Sequence, residues 1–130
     1  MDTKQIREFF KNDRFATENG AVIESVDEKT GETVVSLEIT DRHKNAMGAV
    51  MGGVYFTVAD FAFAVATNYK QAGVVSLTSD ISFVGTPKGK RLVARAVPIK
   101  SGRRVCCHEI TVTDELGNIT AVVKTVGMRV

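Results

Sequence analysis

One carboxylate stands alone in the most apolar stretch of this 130-residue chain. The run GAVMGGVYFTVADFAFAVATNY, residues 48–69, holds Asp60 as its single charged residue. An ionised carboxylate taken out of water without a partner is costly, and aspartate is a poor residue for a helix interior. A local rule broken this plainly marks either a structural partner or a reacting group. Gly48, Gly52 and Gly53 precede it. Glycine lets the backbone turn tightly and approach a ligand with no Cβ in the way. The first N–H groups of a helix lack intrahelical acceptors and carry the positive end of its dipole. Such donors suit an oxygen that gains negative charge during a reaction, where losing one donor costs on the order of 10²-fold in rate or more. The chemistry suggested is a carboxylate base or nucleophile combined with a backbone oxyanion site, about 12 Å apart along one helix.

The elements that must hold these residues follow from pattern. Residues 2–13 read as a short amphipathic helix with Ile6, Phe9 and Phe10 on one side. Residues 21–40 read as a hairpin around a turn at 28–31, with Thr33, Val35, Leu37 and Ile39 alternating against polar positions. Residues 41–53 form a glycine-rich loop, and 54–69 the central helix. Turn signals at 86–89, 101–102 and 115–118 then divide four strands, 74–84, 90–99, 103–114 and 119–129. One long helix and about six strands cannot build a doubly wound parallel sheet, which needs a helix at each crossover. The reading is a single α+β domain over 1–130, an antiparallel sheet of five to six strands wrapped around the central helix. Val54, Val58, Phe61 and Val65 fall on one stripe of that helix, towards the sheet. Thr57, Asp60, Ala64 and Thr67 fall on another, small or polar throughout, which points to a second copy of the chain as neighbour and places Asp60 near a subunit interface.

Composition narrows the function. Hydrophobic residues make up 44% of the chain, enough for one core without metals or disulfides. The adjacent Cys106 and Cys107 point to opposite faces of a strand and cannot staple the fold. The net charge of +2 gives no global field for nucleic acid or membrane. Its distribution is uneven: residues 81–108 carry Lys88, Lys90, Arg91, Arg95, Lys100, Arg103 and Arg104 with no acid, leaving −5 elsewhere. Such a segment suits an anionic ligand. Two histidines give no metal cluster, and no nucleotide-binding glycine motif occurs in its required context. The opening MDTKQIREFF lacks the apolar core of a secretion signal, and no apolar run has the length of a membrane span, so a cytoplasmic protein is expected. His43 in its polar loop reads equally as a surface residue, and His108, sharing a face with Ile110 and Val112, as a satisfied core histidine. Tyr55, Phe56 and Phe63 are candidate pocket residues.

The motif H-x-N-x-x-G-x-x-x-G-G-x-x-x-x-x-A-D, built from His43, Asn45, Gly48, Gly52, Gly53, Ala59 and Asp60, resembles the hotdog-fold acyl-CoA thioesterases of the phenylacetate-degradation (PaaI-like) group. The resemblance extends over most of the chain. It implies Asp60 as catalytic nucleophile or general base, the Gly52 N–H as the group that polarises the thioester carbonyl, Asn45 holding substrate or water, and Thr78 orienting the water. His43, Met51 and Gly53 would contact substrate, and Lys88, Arg103 and Arg104 would meet the phosphates of coenzyme A. It implies no cofactor, and a homodimer or a tetramer of two dimers with a shared active site. The group usually has histidine where this chain has Met51, an apolar side chain without a comparable hydrogen bond. Two other readings use the same residues. One is a non-catalytic acyl-CoA-binding protein; the other is a hydratase drawing on Asp41 and His43. A purely structural Asp60, bonded to Thr57 or to a partner backbone, is the plainest alternative.

Overall fold

A computed structural model describes residues 2–130. The first helix, α1 (Thr3–Phe10), is closed at its start by a reciprocal pair: Asp2 accepts from the Gln5 N–H, and Gln5 accepts from the Asp2 N–H. Ile6 and Phe10, one turn apart, bury its apolar side, Phe10 edge-on to Phe61 at 6.2 Å. The expected single helix over 2–13 is in fact two. The chain breaks at 11–13 and restarts as α2 (Arg14–Glu18), one and a half turns anchored by buried Ala16. A five-residue element has no periodicity of its own, so nothing in the pattern announced it.

The hairpin is as read: β1 (Ala21–Val26) and β2 (Thr33–Glu38) pair antiparallel, with Thr33, Val35 and Leu37 buried. Its turn needs a left-handed residue, supplied by Gly31 at φ 79°, while Asp27 accepts from the N–H groups of Lys29 and Thr30. A 3₁₀ turn (Asp41–His43) and an isolated bridge between Lys44 and Val50 give the expected loop more order than its composition suggests. The central helix, α3 (Gly52–Asn68), starts two residues earlier than the apolar pattern indicated. Gly52 and Gly53 are therefore its first two residues, placing their N–H groups at the helix terminus. Then come β3 (Val74–Phe83), β4 (Arg91–Ser101), β5 (Val105–Asp114) and β6 (Ile119–Arg129).

All six strands form one antiparallel sheet in the order β1-β2-β4-β5-β6-β3, and α3 packs against it. This is the hotdog architecture. Val58, Phe61, Ala62 and Val65 face Val35, Leu37, Leu92, Ala94, Ala96, Ile110 and Val112 in one core. Tyr55 and Phe63 are buried in it as well, so of the three aromatic pocket candidates only Phe56 faces open space. No helix among the described residues is long and apolar enough to cross a membrane. His108 is buried as expected, edge-on to Phe63 at 5.3 Å, but its Nδ1 has no hydrogen-bond partner among the described residues. Burial holds its pKa below the ordinary value, which keeps the ring neutral.

The far end of the sheet is tied by Asp114, buried between the β3–β4 and β5–β6 connections. It accepts from the N–H groups of Lys88 (2.8 Å), Gly89 (3.0 Å), Leu116 (3.0 Å) and Asn118 (2.9 Å), and from Asn118 Nδ2 (2.9 Å). Burial alone would raise its pKa. The hydrogen bonds from the Asn118 side chain and from the Lys88, Asn118 and Gly89 N–H groups overcome that and hold it far below the usual carboxylate range. A carboxylate depressed in the folded state contributes stability above its unfolded pKa, near 3.9, and that contribution fades as pH falls further. Asp114→Ala is therefore expected to lower Tm by several degrees at pH 7. Melts repeated at pH 3 should show the gap narrowing; an equal gap at both pH values would contradict this account.

Candidate active site

Asp60 sits two turns into α3, on the stripe the sheet does not cover. It is exposed in the single chain, not sunk in the core, which resolves the oddity of a carboxylate in so apolar a run. Its carboxylate accepts no hydrogen bond among the described residues. The Thr57 hydroxyl, the internal partner a structural role would use, instead donates to the Gly53 carbonyl at 2.8 Å. Partial desolvation by the surrounding apolar surface raises the Asp60 pKa, and the negative charge of Asp13 adds to the rise. A carboxylate with raised pKa is a better base, and this one is not committed to any structural contact.

Two adjoining grooves run along this stripe. One, of about 440 Å³, is lined by Asp60, Thr57, Phe56 and Phe61 from α3 and by Asp13, Arg14, Phe15 and Ala16 from α2 and its start. The other, of about 380 Å³, continues towards the helix start past Gly53, Val54 and Met51, with Leu37, Asn19, Arg42 and His43 on its other side. Phe15, Phe56 and Thr57 line both and stand between them.

The start of α3 is open. Met51 is its N-cap, extended at φ −65°, ψ 139°, and offers no side-chain cap. The Gly52 and Gly53 N–H groups donate to no acceptor among the described residues. A side chain at Gly52 would come within 3.2 Å of the Phe83 ring, and one at Gly53 within 2.7 Å of the Met51 methyl. A methyl at Gly53 would only push aside the flexible end of Met51, and one at Gly52 would press on the exposed Phe83 ring. Met51 folds back over Gly53 where the resemblance would place a histidine.

The loop before α3 holds itself together. Asn45 Oδ1 accepts from the Met47 and Ala49 N–H groups at 3.0 and 3.2 Å, which leaves its amide nitrogen as the side chain's remaining polar group. His43 is 3% exposed and neither a surface residue nor free to meet a ligand through its nitrogens. Nδ1 accepts from the Thr40 N–H at 2.9 Å, and Nε2 lies 2.6 Å from the Asn19 carbonyl, which fixes Nε2 as the protonated nitrogen. Arg42 donates to the Glu18 carbonyl at 2.9 Å. Together Arg42 and His43 pin the end of α2, the wall opposite Asp60, to the loop that leads into α3.

The sequence profile of the thioesterase superfamily matches residues 47–121, a span that takes in the end of this loop, α3, and the strands from β3 to the start of β6. The chain belongs to that superfamily. A protein from Deinococcus radiodurans, provisionally named an esterase, is 38% identical over 80 residues; the match covers 62% of this chain and only 55% of that relative's length. The solved PaaI protein from the phenylacetic acid degradation operon of E. coli is 26% identical, with TM-score 0.86 over 95% of this chain and 88% of its own. A hypothetical thioesterase of Streptococcus pneumoniae, solved with coenzyme A, superposes with TM-score 0.82 at 20% identity over 93% and 96% of the two chains, a likeness of fold.

Within this thioesterase-superfamily chain the predicted residues divide into groups. Asp60 lines one of the two adjoining grooves, and Gly53 and Met51 line the other, with Gly52 at the helix start. Thr78 lies exposed on β3, at the edge of the sheet beside an irregularity between Ser76 and Thr78, and is not part of either groove. The basic window is not one surface. Lys88 precedes β4 and Arg103 and Arg104 follow it, so about 35 Å of extended strand separates them. Nearness in sequence hid that, although a strand of eleven residues carries its two turns to opposite ends of a sheet. Arg103 and Arg104 instead line a pocket of about 140 Å³ with Arg129 and His108. Arg129 escaped the sequence reading because it falls outside the acid-free window. Asp13 and Phe15 escaped it because they belong to the unannounced α2.

Proposed function

We propose that the protein hydrolyses acyl-CoA thioesters to the free acid and coenzyme A. The supporting observation is Asp60: a carboxylate with raised pKa and no structural partner, open to a groove on the same helix whose first N–H groups are uncommitted. Water adds to the thioester carbon as Asp60 takes its proton, or Asp60 itself adds and the acyl-aspartate is then hydrolysed. In either route the carbonyl oxygen gains negative charge beside a backbone N–H such as that of Gly52, the C–S bond breaks, and the thiol leaves.

Eight residues of helix separate Gly52 from Asp60, about 12 Å, too far for both to touch one thioester carbon. The site is therefore completed by a second copy, with Gly52 of one protomer facing Asp60 of the other. Two features support this reading. The uncovered stripe of α3 carries Phe56 and Asp60, and β3 ends the sheet with an unpaired edge and exposed Val75 and Leu77, the kind of edge that recruits another strand. A homodimer is the minimal assembly, and a tetramer adds a second dimer.

A hydrolysis screen over short, long and aromatic acyl-CoAs tests the assignment, with dissociation constants measured in parallel. Tight binding without turnover of any of them would instead favour a binding protein.

The pocket of Arg103, Arg104 and Arg129 is the proposed seat of the coenzyme A phosphates, because guanidinium forks suit phosphate and no acid lines it. Arg103→Ala and Arg104→Ala are expected to raise KM for acyl-CoA several-fold to tens-fold with kcat little changed, the mark of lost uniform binding. The effect should shrink with added salt, since exposed charges are screened within about 10 Å at 0.1 M. Lys88→Ala, at the opposite end of β4, should leave KM where it is. A thioester lacking the nucleotide should not distinguish the arginine variants from wild type; equal losses on both substrates would remove the phosphate assignment.

A further inference from the structure

The groove at Asp60 has a second carboxylate. Asp13 stands at the start of α2 in the position of an N-cap, yet its side chain makes no capping hydrogen bond. Its backbone carbonyl does the local structural work, accepting from the Thr17 N–H and hydroxyl at 3.1 Å each. The carboxylate is left to line the same groove as Asp60, from the opposite wall.

That wall is held in place. Ala16 is buried beneath it, the Arg42 guanidinium and the His43 ring bind the carbonyls of Glu18 and Asn19 at its end, and Arg14 is paired with Glu18 at 2.7 Å. The charged groups facing Asp60 across the groove are Asp13 and Arg14, the latter already engaged by Glu18. From α3 itself no other titratable group lines it.

We propose that Asp13 is a positioning residue for this hydrolysis, acting through Asp60: the two carboxylates bracket the space open to the attacking water, and the fixed negative charge of Asp13 drives the proton released by that water onto Asp60. The inference rests on the hydrolytic reading of Asp60. Like charges facing each other across a partly desolvated groove disfavour ionisation of both, so a proton that reaches Asp60 during the reaction is held more firmly there. Asp60 is raised by desolvation and by Asp13, whereas Asp13 is raised by its own burial alone. Phe15 and Phe56 line the same groove beside the two carboxylates.

The test replaces Asp13 by Asn, which keeps the shape and remains a good residue at a helix start, and follows the Asp60 carboxyl by ¹³C NMR across pH 3–8 together with kcat/KM. The expected result is that Asp60 titrates at lower pH in Asp13→Asn. The acidic limb of kcat/KM should move with it, and the plateau rate should fall several-fold because the base is weaker, with KM little changed. Asp13→Glu should restore the wild-type profile. An Asp60 titration identical in both proteins would overturn the proposal. The NMR titration needs no turnover. A chain without thioesterase activity would thus fail the functional reading while still reporting whether the two carboxylates act on each other.

Discussion

Asp60→Asn is expected to lower kcat for acyl-CoA hydrolysis by roughly 10²–10⁴-fold with little change in KM, whether the carboxylate acts as base or nucleophile. The amide keeps the size of the side chain and removes only its ability to take a proton or attack. The fold should not suffer, because Asp60 is on the uncovered stripe of α3 and accepts no hydrogen bond from the rest of the chain. The stability effect has the opposite sign to the catalytic one. A carboxyl whose pKa is higher folded than unfolded costs stability once the pH exceeds its unfolded value, near 3.9. The variant should thus melt at higher temperature than wild type at pH 7, with the difference vanishing near pH 3. A less active and more stable variant is the pattern of a residue kept for function at the expense of folding. Full activity would remove Asp60 from the reaction. A fall in Tm with loss of assembly would make it a structural residue of the interface.

The second large effect belongs to a single hydrogen atom. Gly52→Pro deletes the first N–H of α3, the donor proposed for the carbonyl oxygen, and should lower kcat by about 10²–10³-fold. The backbone is prepared for proline there. It is the first helical position, where a ring is tolerated, and Met51 before it is already extended at φ −65°, ψ 139°, the conformation a following proline requires. Any added carbon also approaches the Phe83 ring, to 3.2 Å, so sterics need a separate control. Gly52→Ala supplies it: the same contact, with the N–H retained. The alanine variant should lose a few-fold at most, and the difference between the two reports the donor. Equal losses would assign the effect to Phe83. If two copies share each site, mixing Gly52→Pro with Asp60→Asn and allowing subunits to exchange should regenerate part of the activity, because one of the two sites in a mixed dimer is intact.

The sequence made the scaffold legible where repetition was long enough to read. Alternation in 33–39 and the strands after residue 74 located the sheet to within a few residues, and spacing of three and four along 54–65 separated the covered face of α3 from the open one. Asp60 stood out because nothing else in 48–69 is charged. What failed was short or non-local. Five residues of α2 carry no period, so Asp13 looked like one more acid in a polar N-terminal segment. Gly52 and Gly53 looked like loop because apolar periodicity starts only at Val54. His43 looked like a ligand or surface group because its two acceptor and donor partners, Thr40 and Asn19, are fixed by the tertiary path of the loop. Lys88 and Arg103 looked like neighbours because charge counting ignores the direction of the strand between them.

The strand order has a consequence for how the chain is made. The most apolar element, α3, leaves the ribosome before any of β4, β5 or β6, yet Leu92, Ala94, Ala96, Ile110, Val112, Ala121 and Val123 supply much of its cover. β2 waits for β4, and β3, complete by Phe83, has no intrachain partner until β6 emerges at residues 119–129. The nascent polypeptide therefore exposes the sheet-facing side of α3, one edge of the β1–β2 hairpin and an unpaired β3 until β4, β5 and β6 have been made. Such long-range closure is slow and exposed to aggregation. Ribosome-stalled chains ending before β6 should bind holdase chaperones and be cut readily by protease, and adding the eleven residues of β6 should abolish both behaviours at once.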